Sequence, residues 1–257
     1  MNYKEIALGS RKKVLELVYK AQTSHIGSLF SCADIMAVLF EKIDLNKDVF
    51  VLSAGWKAAL LYYHLWRKGR ITEEELNSYC QPGSKWIGLA EPIHPDIPLA
   101  GGSMGLGLPG AVGLALAKKL KKEDGNVYVL MSDGEMQIGT TWESALIGSH
   151  HNLNNLVVFI DNNKLQAMGE INKILDIESL LNKWNAFGWR TQRVDGHSYG
   201  NLETILSDIQ EYQETKPKIV ICNTIKGKGV PKWEGDNLWH YAQIKEDDYK
   251  YALSCLN

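Results

Sequence analysis

The sequence contains little that would point to a membrane or to a nucleic acid. No run of apolar residues approaches the length of a membrane-spanning helix, and the charged N-terminal segment lacks the apolar core of a signal peptide. The 28 basic and 30 acidic residues give a formal net charge of −2, with no block of like charge. We therefore expect no nucleic-acid partner and no membrane association.

Cysteine is also scarce, and its spacing excludes the usual zinc and redox motifs. The four cysteines, Cys32, Cys80, Cys222 and Cys255, lie far apart and form no C-x-x-C pair. Isolated thiols of this kind are typical of a protein from a reducing compartment. The pattern predicts a cytoplasmic protein with free cysteines and argues against a zinc site.

What the sequence does have is a regular alternation of helix-like and strand-like segments. At 257 residues and 45% hydrophobic, the chain can bury one substantial core, so we expect a single domain over residues 1–257. The alternation predicts an α/β fold, an open and mostly parallel sheet with helices on both faces. The predicted helices are Tyr3–Gln22, Ser31–Phe40, one after Gly55, Met104–Lys121, 140–151, Ile177–Phe187 and Asn201–Tyr212, and the predicted strands are 49–53, 127–131, 155–160, Trp189–Val194 and Lys218–Asn223.

Three further local features are predicted. Residues 31–34 and 72–75 each have the spacing of a capping box at the start of a helix. Residues 83–102 are rich in glycine and proline and lack periodicity, which indicates a long ordered loop. Long loops in compact domains often carry functional residues.

Two polar side chains end consecutive apolar runs in the middle of the chain. Asp133 follows VYVLM and Asn163 follows NLVVFI, and TTWESALIGSHH between them suits a crossover helix. The two residues would lie at the carboxyl ends of neighbouring parallel strands, where open α/β sheets bind ligands. Their oxygens suit Mg²⁺. Asp-Gly and Asn-Asn are also common turn dipeptides, so ordinary turns without a ligand are the alternative.

A glycine-rich segment, GLGLPG at residues 105–110, has the spacing G-x-G-x-x-G. A dinucleotide site needs a strand directly before this motif, and the preceding EPIHPDIPLAGGSM is broken by prolines. The glycines are better explained as allowing a helix start to pack closely against its neighbours, with exposed N–H groups facing a ligand.

The histidines divide by context. His25, His94 and His240 lie in loop-like segments that can converge at one edge of a sheet, although a single histidine in a loop is more often a surface residue. His150 and His151 end the crossover helix, where positive charge is favourable, and His64 lies in an apolar helix. We interpret these last three as structural.

Five segments in order resemble the N-terminal, diphosphate-binding half of transketolases, which are thiamine diphosphate enzymes. SHIGSLFSCADIMAVLF resembles the first histidine loop, VFVLSAGWKAALLYY the "LSxGH" segment, and AGGSMGLGLPGAVGLALA the "TGxLGxG" segment. SDG followed by IDNN resembles the thiamine diphosphate motif, and GKGVPKWEGDNLWH resembles the last segment of this half. The resemblance covers nearly the whole chain.

The resemblance implies a site for thiamine diphosphate and Mg²⁺. The metal ligands would be Asp133, Asn163 and the backbone carbonyl of Leu165, with diphosphate oxygens completing the octahedron. The other implied site residues are Gly102 and Met104 at the aminopyrimidine and the bent centre of the cofactor, Gly134 at the diphosphate, Glu143 at a subunit contact, and the catalytic histidines His25, His94 and His240 around the thiazolium, the diphosphate and the sugar hydroxyls.

Three positions depart from the family pattern. Ser132 opens the motif as SDG where the family has GDG, and Ile138 stands where many transketolases have glutamate. Trp56 replaces the histidine of "LSxGH". Because an indole cannot accept a proton as imidazole does, we expect sugar substrates outside the standard pentose phosphates.

The second half of the family, which activates the aminopyrimidine, has no counterpart in this sequence. The resemblance therefore implies the N-terminal subunit of a split transketolase that transfers a two-carbon ketol unit from a ketose to an aldose. A separately encoded C-terminal subunit would complete it, as a heterotetramer active only in combination. The alternatives are another activity of the superfamily, such as a deoxyxylulose phosphate synthase-like or 2-oxo acid decarboxylating reaction, or a non-catalytic cofactor-binding subunit.

Overall fold

A five-stranded parallel sheet forms the centre of the molecule. The computed structural model describes residues 2–211 and 215–257. The strands of the main sheet are β1 (Val49–Leu52), β2 (Val127–Ser132), β3 (Leu156–Asn162), β6 (Arg190–Asp195) and β7 (Lys218–Asn223), in the spatial order β1-β2-β3-β7-β6. Every neighbouring pair is parallel.

Helices surround this sheet, and a short antiparallel hairpin lies outside it. The helices are α1 (Tyr3–Ala21), α2 (Ile26–Ser31), α3 (Ala33–Lys42), α4 (Ala58–Arg67), α5 (Glu73–Asn77), α6 (Gly107–Lys121), α7 (Gly139–His150), α8 (Ile171–Ile174), α9 (Leu180–Ala186), α10 (Tyr199–Glu211) and α11 (Glu246–Cys255). The hairpin pairs β4 (Leu165–Gln166) with β5 (Gly169–Glu170). Short 3-10 turns span Gly55–Lys57, Asp133–Gln137 and Asn237–His240. In the described part of the chain, none of the helices is both long and apolar enough to span a membrane.

The two faces of the sheet bury separate cores, as the predicted α/β class requires. Along β2, Tyr128 and Leu130 point to one core, which also contains residues of α1, α3, α4 and α10. Val127 and Val129 point to the other, which contains residues of α6, α7 and α9. Alternate residues of a strand face opposite sides of a sheet, so a strand buried on both sides is apolar throughout. The predicted fold class is confirmed.

Most predicted elements are present, with shifted ends. The crossover helix is α7, the capping box at Thr72 and Glu75 is formed, and residues 83–102 contain no helix or strand. The predicted starts at Met104 and Ile177 are each three residues early, since α6 begins at Gly107 and α9 at Leu180. Tyr212, the predicted end of α10, lies outside the described residues.

The capping box predicted at residues 31–34 is wrong. Ser31 is the last residue of α2, and its hydroxyl donates to the Ser28 carbonyl at 2.9 Å and to Asp161 at 2.5 Å. The Asp34 carboxylate accepts instead from the Arg11 guanidinium, at 3.0 and 2.6 Å. Both side chains have buried partners elsewhere in the fold, and these replace the local cap.

The interpretation of the 105–110 glycines as a close-packing device is confirmed at Gly107. A Cβ atom on Gly107 would lie 2.4 Å from the Cβ of Ser53, so only glycine lets the start of α6 approach the end of β1. A second close approach joins Gly55 and Gly101, where a Cβ on Gly101 would lie 2.7 Å from the Gly55 Cα. The contact between Gly55 and Gly101 holds the end of the 83–102 loop against the carboxyl end of β1.

Candidate functional site

The carboxyl ends of four adjacent strands surround one cavity of about 200 Å³. The segments after β1, β2 and β3 each contribute lining residues, and a loop that follows β7 contributes His240. The lining residues of the cavity are His25, Ser28, Trp56, Lys57, Gly102, Met104, Ser132, Asp133, Gly134, Asn163, Leu165, Gln166, Ala167 and His240.

Asp133 and Asn163 lie side by side because β2 and β3 are paired in register, Ser132 opposite Asp161. The Asp133 carboxylate accepts from the backbone N–H groups of Gly134, at 2.9 Å, and Lys164, at 2.6 Å. The amide oxygen of Asn163 accepts from the Leu165 N–H at 3.0 Å. The local hydrogen bonds therefore fix both side chains at the cavity wall.

Burial makes Asp133 an unusual carboxylate. It is 1% exposed, and burial, followed by repulsion from Asp161, raises its pKa to about 7. The two backbone N–H bonds and the charge of Lys57 only partly offset this. A nearby cation would relieve the energetic cost of its ionisation.

Asp161 is the second buried acid at this edge, and it is fully paired. It accepts from the Lys57 ammonium, from the hydroxyls of Ser31 and Thr224, and from the Asn163 amide at 3.2 Å. Burial alone would raise its pKa, but the interactions with Lys57 outweigh burial and lower it. Burial would likewise lower the pKa of Lys57, and Asp161 raises it instead. This ion pair is 1% and 0% exposed.

We expect the fold to lose stability when one partner of the Lys57–Asp161 pair is removed and the other charge stays buried. In Lys57→Met the Asp161 charge stays buried without its partner, which should lower the free energy of unfolding by about 3–5 kcal/mol. Denaturant unfolding of the isolated chain measures this. The double variant Lys57→Met/Asp161→Asn should recover much of the lost stability. The control is Lys47→Met, at a half-exposed lysine 3.9 Å from Asp124, and it should change the free energy of unfolding by less than about 0.5 kcal/mol. Equal losses in the single and double variants would contradict a cost due to unpaired charge.

Two of the histidines that line the cavity are in contact with each other. The rings of His25 and His240 are arranged edge to face, with centroids 5.0 Å apart. The backbone N–H of His25 donates to the backbone carbonyl of His240 at 3.0 Å. Burial, followed by the charge of Lys226, lowers the pKa of His25 to about 4 and that of His240 to about 3. Both rings are therefore neutral at pH 7.

The structure brings together most, though not all, of the residues predicted for the site. Gly102, Met104, Gly134 and Leu165 line the cavity with Asp133, Asn163 and the two histidines. His94 does not: it lies in the 83–102 loop, where its Nδ1 accepts from the Asp96 N–H at 3.2 Å and its ring faces Trp86. Glu143 is also outside the cavity, exposed on the surface of α7.

The histidines interpreted as structural occupy such positions. His64 is fully buried among aromatic rings, 5.0 Å from that of Phe40, and burial lowers its pKa to about 3. His150 and His151 are exposed at the carboxyl end of α7.

Sequence reasoning missed Lys57, Asp161 and Lys226. Lys57 and Asp161 are joined to each other, and Lys226 supports His240 from behind the cavity wall. Only Asp161 gave a signal, because an acid continuing the apolar run NLVVFI requires a buried partner. Lys57 and Lys226 resemble ordinary surface lysines in the sequence.

Comparisons with known proteins agree with this geometry. Residues 3–256 match the family model described as "Transketolase, thiamine diphosphate binding domain". The chain is 35% identical to one of the subunits of the apulose-4-phosphate transketolase from Phocaeicola vulgatus, covering 95% of this chain and 90% of that one. It is 34% identical to the 6-deoxy-6-sulfo-D-fructose transketolase subunit SqwG of a Clostridium species, covering 95% and 92%.

A full-length enzyme has the same fold over part of its chain. The transketolase from Leishmania mexicana superposes with a TM-score of 0.91 at 26% identity, over 100% of this chain. The matched region is 41% of that transketolase, so the chain spans about two fifths of its length.

Proposed function

We propose a function from the premise that this chain belongs to the transketolase family. The chain is the N-terminal, diphosphate-binding subunit of a split transketolase, with residues 1–257 as one domain. With a partner subunit it transfers a two-carbon ketol unit from a ketose donor to an aldose acceptor. The observation that carries this proposal is the single cavity that collects Asp133, Asn163, Leu165, His25 and His240.

The cavity fits thiamine diphosphate with Mg²⁺. Asp133 is a buried carboxylate whose pKa is raised by burial and by Asp161, so a bound cation would stabilise its charged form. Asn163 and the Leu165 carbonyl would supply neutral oxygens. Gly134 lines the cavity, and a Cβ there would meet Gln166 and Met104 at 3.8 Å, an ordinary packing distance. In the described chain, no three His, Cys, Asp or Glu side chains form a metal-binding group.

When bound, thiamine diphosphate supplies the carbanion chemistry that breaks and forms the carbon–carbon bond. Asp133, Asn163 and Leu165 would hold the metal, and Gly102 and Met104 would lie along the cofactor. His25 and His240, both neutral at pH 7, would form hydrogen bonds with the oxygens of the sugar and take part in its proton transfers. The cavity walls would exclude water on this chain's side.

Metal binding should depend on pH because Asp133 must be ionised to bind. Its pKa in the metal-free chain is raised to about 7, so below that pH the metal displaces a proton. The affinity for Mg²⁺ with thiamine diphosphate should rise as the pH rises from about 5 to 7, by up to about tenfold per pH unit, and then level off. Titration calorimetry in two buffers of different ionisation enthalpy counts the released protons.

The matched variant for this measurement is Asp133→Asn, which cannot release a proton. It should bind weakly and lose the pH dependence. A parent chain that binds the metal and cofactor with the same affinity at pH 6 and pH 8 would contradict a pKa of about 7 for Asp133 and the proton release that follows from it.

A partner is supported by the surface around the cavity and by the relatives. Large apolar side chains are exposed at or beside the lining residues: Met104, Leu106, Met168, Leu238 and Tyr241. Exposed apolar patches mark interaction surfaces. Two relatives that match over nine tenths of their length are named as transketolase subunits. We propose that a separately encoded C-terminal subunit covers this surface, in a cytoplasmic heterotetramer.

We propose roles in this assembly for Glu143 and His94, the two predicted site residues that lie outside the cavity. Glu143 shares α7 with exposed Leu146 and Ile147, a surface suited to a subunit contact. His94 lies in the loop whose end, Gly102, lines the cavity. We keep Glu143 as a contact residue and His94 as a substrate residue in the assembled enzyme.

The sugar specificity should depend on Trp56, which lines the cavity at the position of the family histidine. The subunit relatives are named for apulose 4-phosphate and 6-deoxy-6-sulfo-D-fructose, and we propose a similarly specialised sugar here. Trp56→His should change the ratio of kcat/KM between two ketose donors by about tenfold. The assay compares a panel of ketoses with the assembled enzyme.

Trp66→His is the matched control for this change. Trp66 lies in α4, packs against Tyr63 and does not line the cavity, so its replacement should leave the donor ratios unchanged. Identical ratios in the parent enzyme and Trp56→His would place Trp56 away from the donor.

A further inference from the structure

A buried lysine lies directly behind one of the two cavity histidines. Lys226 is 0% exposed, and its ammonium is 2.9 Å from the Nδ1 of His240 and 2.9 Å from the Oδ1 of Asn237. We propose that Lys226 fixes the tautomer of His240, so that the ring carries its proton on Nε2 and acts in the cavity only as a hydrogen-bond donor. This inference rests on the proposed function for its role in catalysis.

The surroundings of Lys226 hold its ammonium in place. The Asn237 amide is oriented by its Nδ2, which donates to the Ala167 carbonyl at 3.1 Å and leaves Oδ1 facing the lysine. The Lys226 carbonyl accepts from the Gly235 N–H at 2.9 Å. On the other side, a Cβ on Gly27 would lie 3.1 Å from the lysine Cγ, so the stem has little room to move.

The chemistry of the two groups then sets the tautomer. An ammonium has three donors and no acceptor, so a ring nitrogen that it contacts must accept. Burial lowers the pKa of Lys226 to about 8, while the charge of Asp133 opposes that fall, so the lysine is charged at pH 7. His240 Nδ1 therefore accepts, and the single proton of the neutral ring lies on Nε2.

Charge compensation is the simpler explanation of a buried lysine, but the contacts argue against it here. The charge of Asp133 acts on Lys226, and Asp161 is already paired with Lys57. The hydrogen bonds of the Lys226 ammonium go instead to His240 and Asn237. The hydrogen bond of Lys226 to His240 Nδ1 therefore has a role beyond charge compensation.

A fixed tautomer of His240 gives the two cavity histidines different chemical roles. His240 has no free acceptor nitrogen, so it can donate to a carbonyl or alkoxide oxygen of the sugar but cannot take a proton from a hydroxyl. His25 has no such clamp: its Nδ1 is 3.0 Å from the Ser24 hydroxyl, which can donate or accept. Of the histidines that line the cavity, His25 is then the proton acceptor and Lys226 is a positioning residue.

The test is an NMR spectrum of the ring nitrogens, recorded on the chain with isotope-labelled histidine and without cofactor or partner. Long-range proton–nitrogen correlations distinguish Nδ1–H from Nε2–H rings, and the signals missing in His240→Gln identify His240. At pH 7 the parent chain should show His240 as a single Nε2–H ring. Lys226→Met should shift the His240 nitrogen signals toward an average of both tautomers.

Lys228→Met is the matched control, because Lys228 lies two residues away, is about one-third exposed and lies 3.4 Å from the Glu234 carboxylate. It should leave the His240 signals unchanged. An Nδ1–H ring in the parent chain, or an unchanged His240 spectrum in a folded Lys226→Met, would overturn the proposal. Because this experiment needs no turnover, failure of ketol transfer would count against the proposed function and leave the tautomer assignment standing.

Discussion

Asp133→Ala should lower the Mg²⁺-dependent affinity for thiamine diphosphate by more than about 100-fold. Even residues that only support metal ligands commonly contribute 10–100-fold to metal affinity, and Asp133 is the one anionic protein ligand in the proposed set. Without it, a divalent cation would be held by neutral oxygens alone, and the diphosphate charge would be poorly compensated. Calorimetric titration of the chain with cofactor and Mg²⁺ measures the loss.

The control for this substitution is Asp124→Ala. Asp124 is a surface aspartate whose side chain is 89% exposed, so its loss should leave cofactor affinity unchanged. Denaturant unfolding without cofactor would verify that the Asp133 variant is folded. Unchanged cofactor affinity in a folded Asp133→Ala variant would show that the metal does not bind at this edge of the sheet.

The sheet could be predicted from the sequence because its signals are local and repeated. VYVLM and NLVVFI are apolar throughout, as strands with helices on both faces must be, and they became β2 and β3. The pairing of Ser132 with Asp161 then places Asp133 near Asn163, which the sequence had also indicated. The carboxyl edge of the sheet is the part of the site that topology alone determines.

Elements set by tertiary contacts could not be predicted in the same way. The β4–β5 hairpin has two residues in each strand, too few for a periodic signal. Helix α11 is largely polar, and the sequence did not predict it; its place is set by packing, with Tyr249 stacked on Tyr19 of α1. Ser31 had the spacing of a helix cap, but its hydroxyl bonds to Asp161, 130 positions away.

The candidate site shows the same division. Residues next to strand ends were found, whereas Lys57 and Lys226 were missed, because what distinguishes them is complete burial and not their sequence context. His94 and Glu143 were assigned by resemblance, and both lie outside the cavity of the single chain. In the proposed assembly, their roles would depend on contacts with the partner subunit.

The second large effect concerns that partner: the chain alone should show no ketol transfer. Met104 lines the cavity and is 41% exposed, and Leu238 and Tyr241 beside His240 are each 61% exposed. A cofactor bound here would remain open to water, which weakens the electrostatic contacts that the reaction needs. The partner should cover this side of the cavity and complete the site.

The most direct test of the split-enzyme proposal is the rate of ketol transfer by the purified chain with thiamine diphosphate and Mg²⁺, before and after addition of the separately encoded C-terminal subunit. We expect no turnover before addition and turnover without release of CO₂ afterwards. The same partner added to Asp133→Ala should give no activity, which shows that the rate belongs to this cavity. Full turnover by the chain alone, or none in a demonstrated complex across a panel of ketose donors and aldose acceptors, would contradict the proposal.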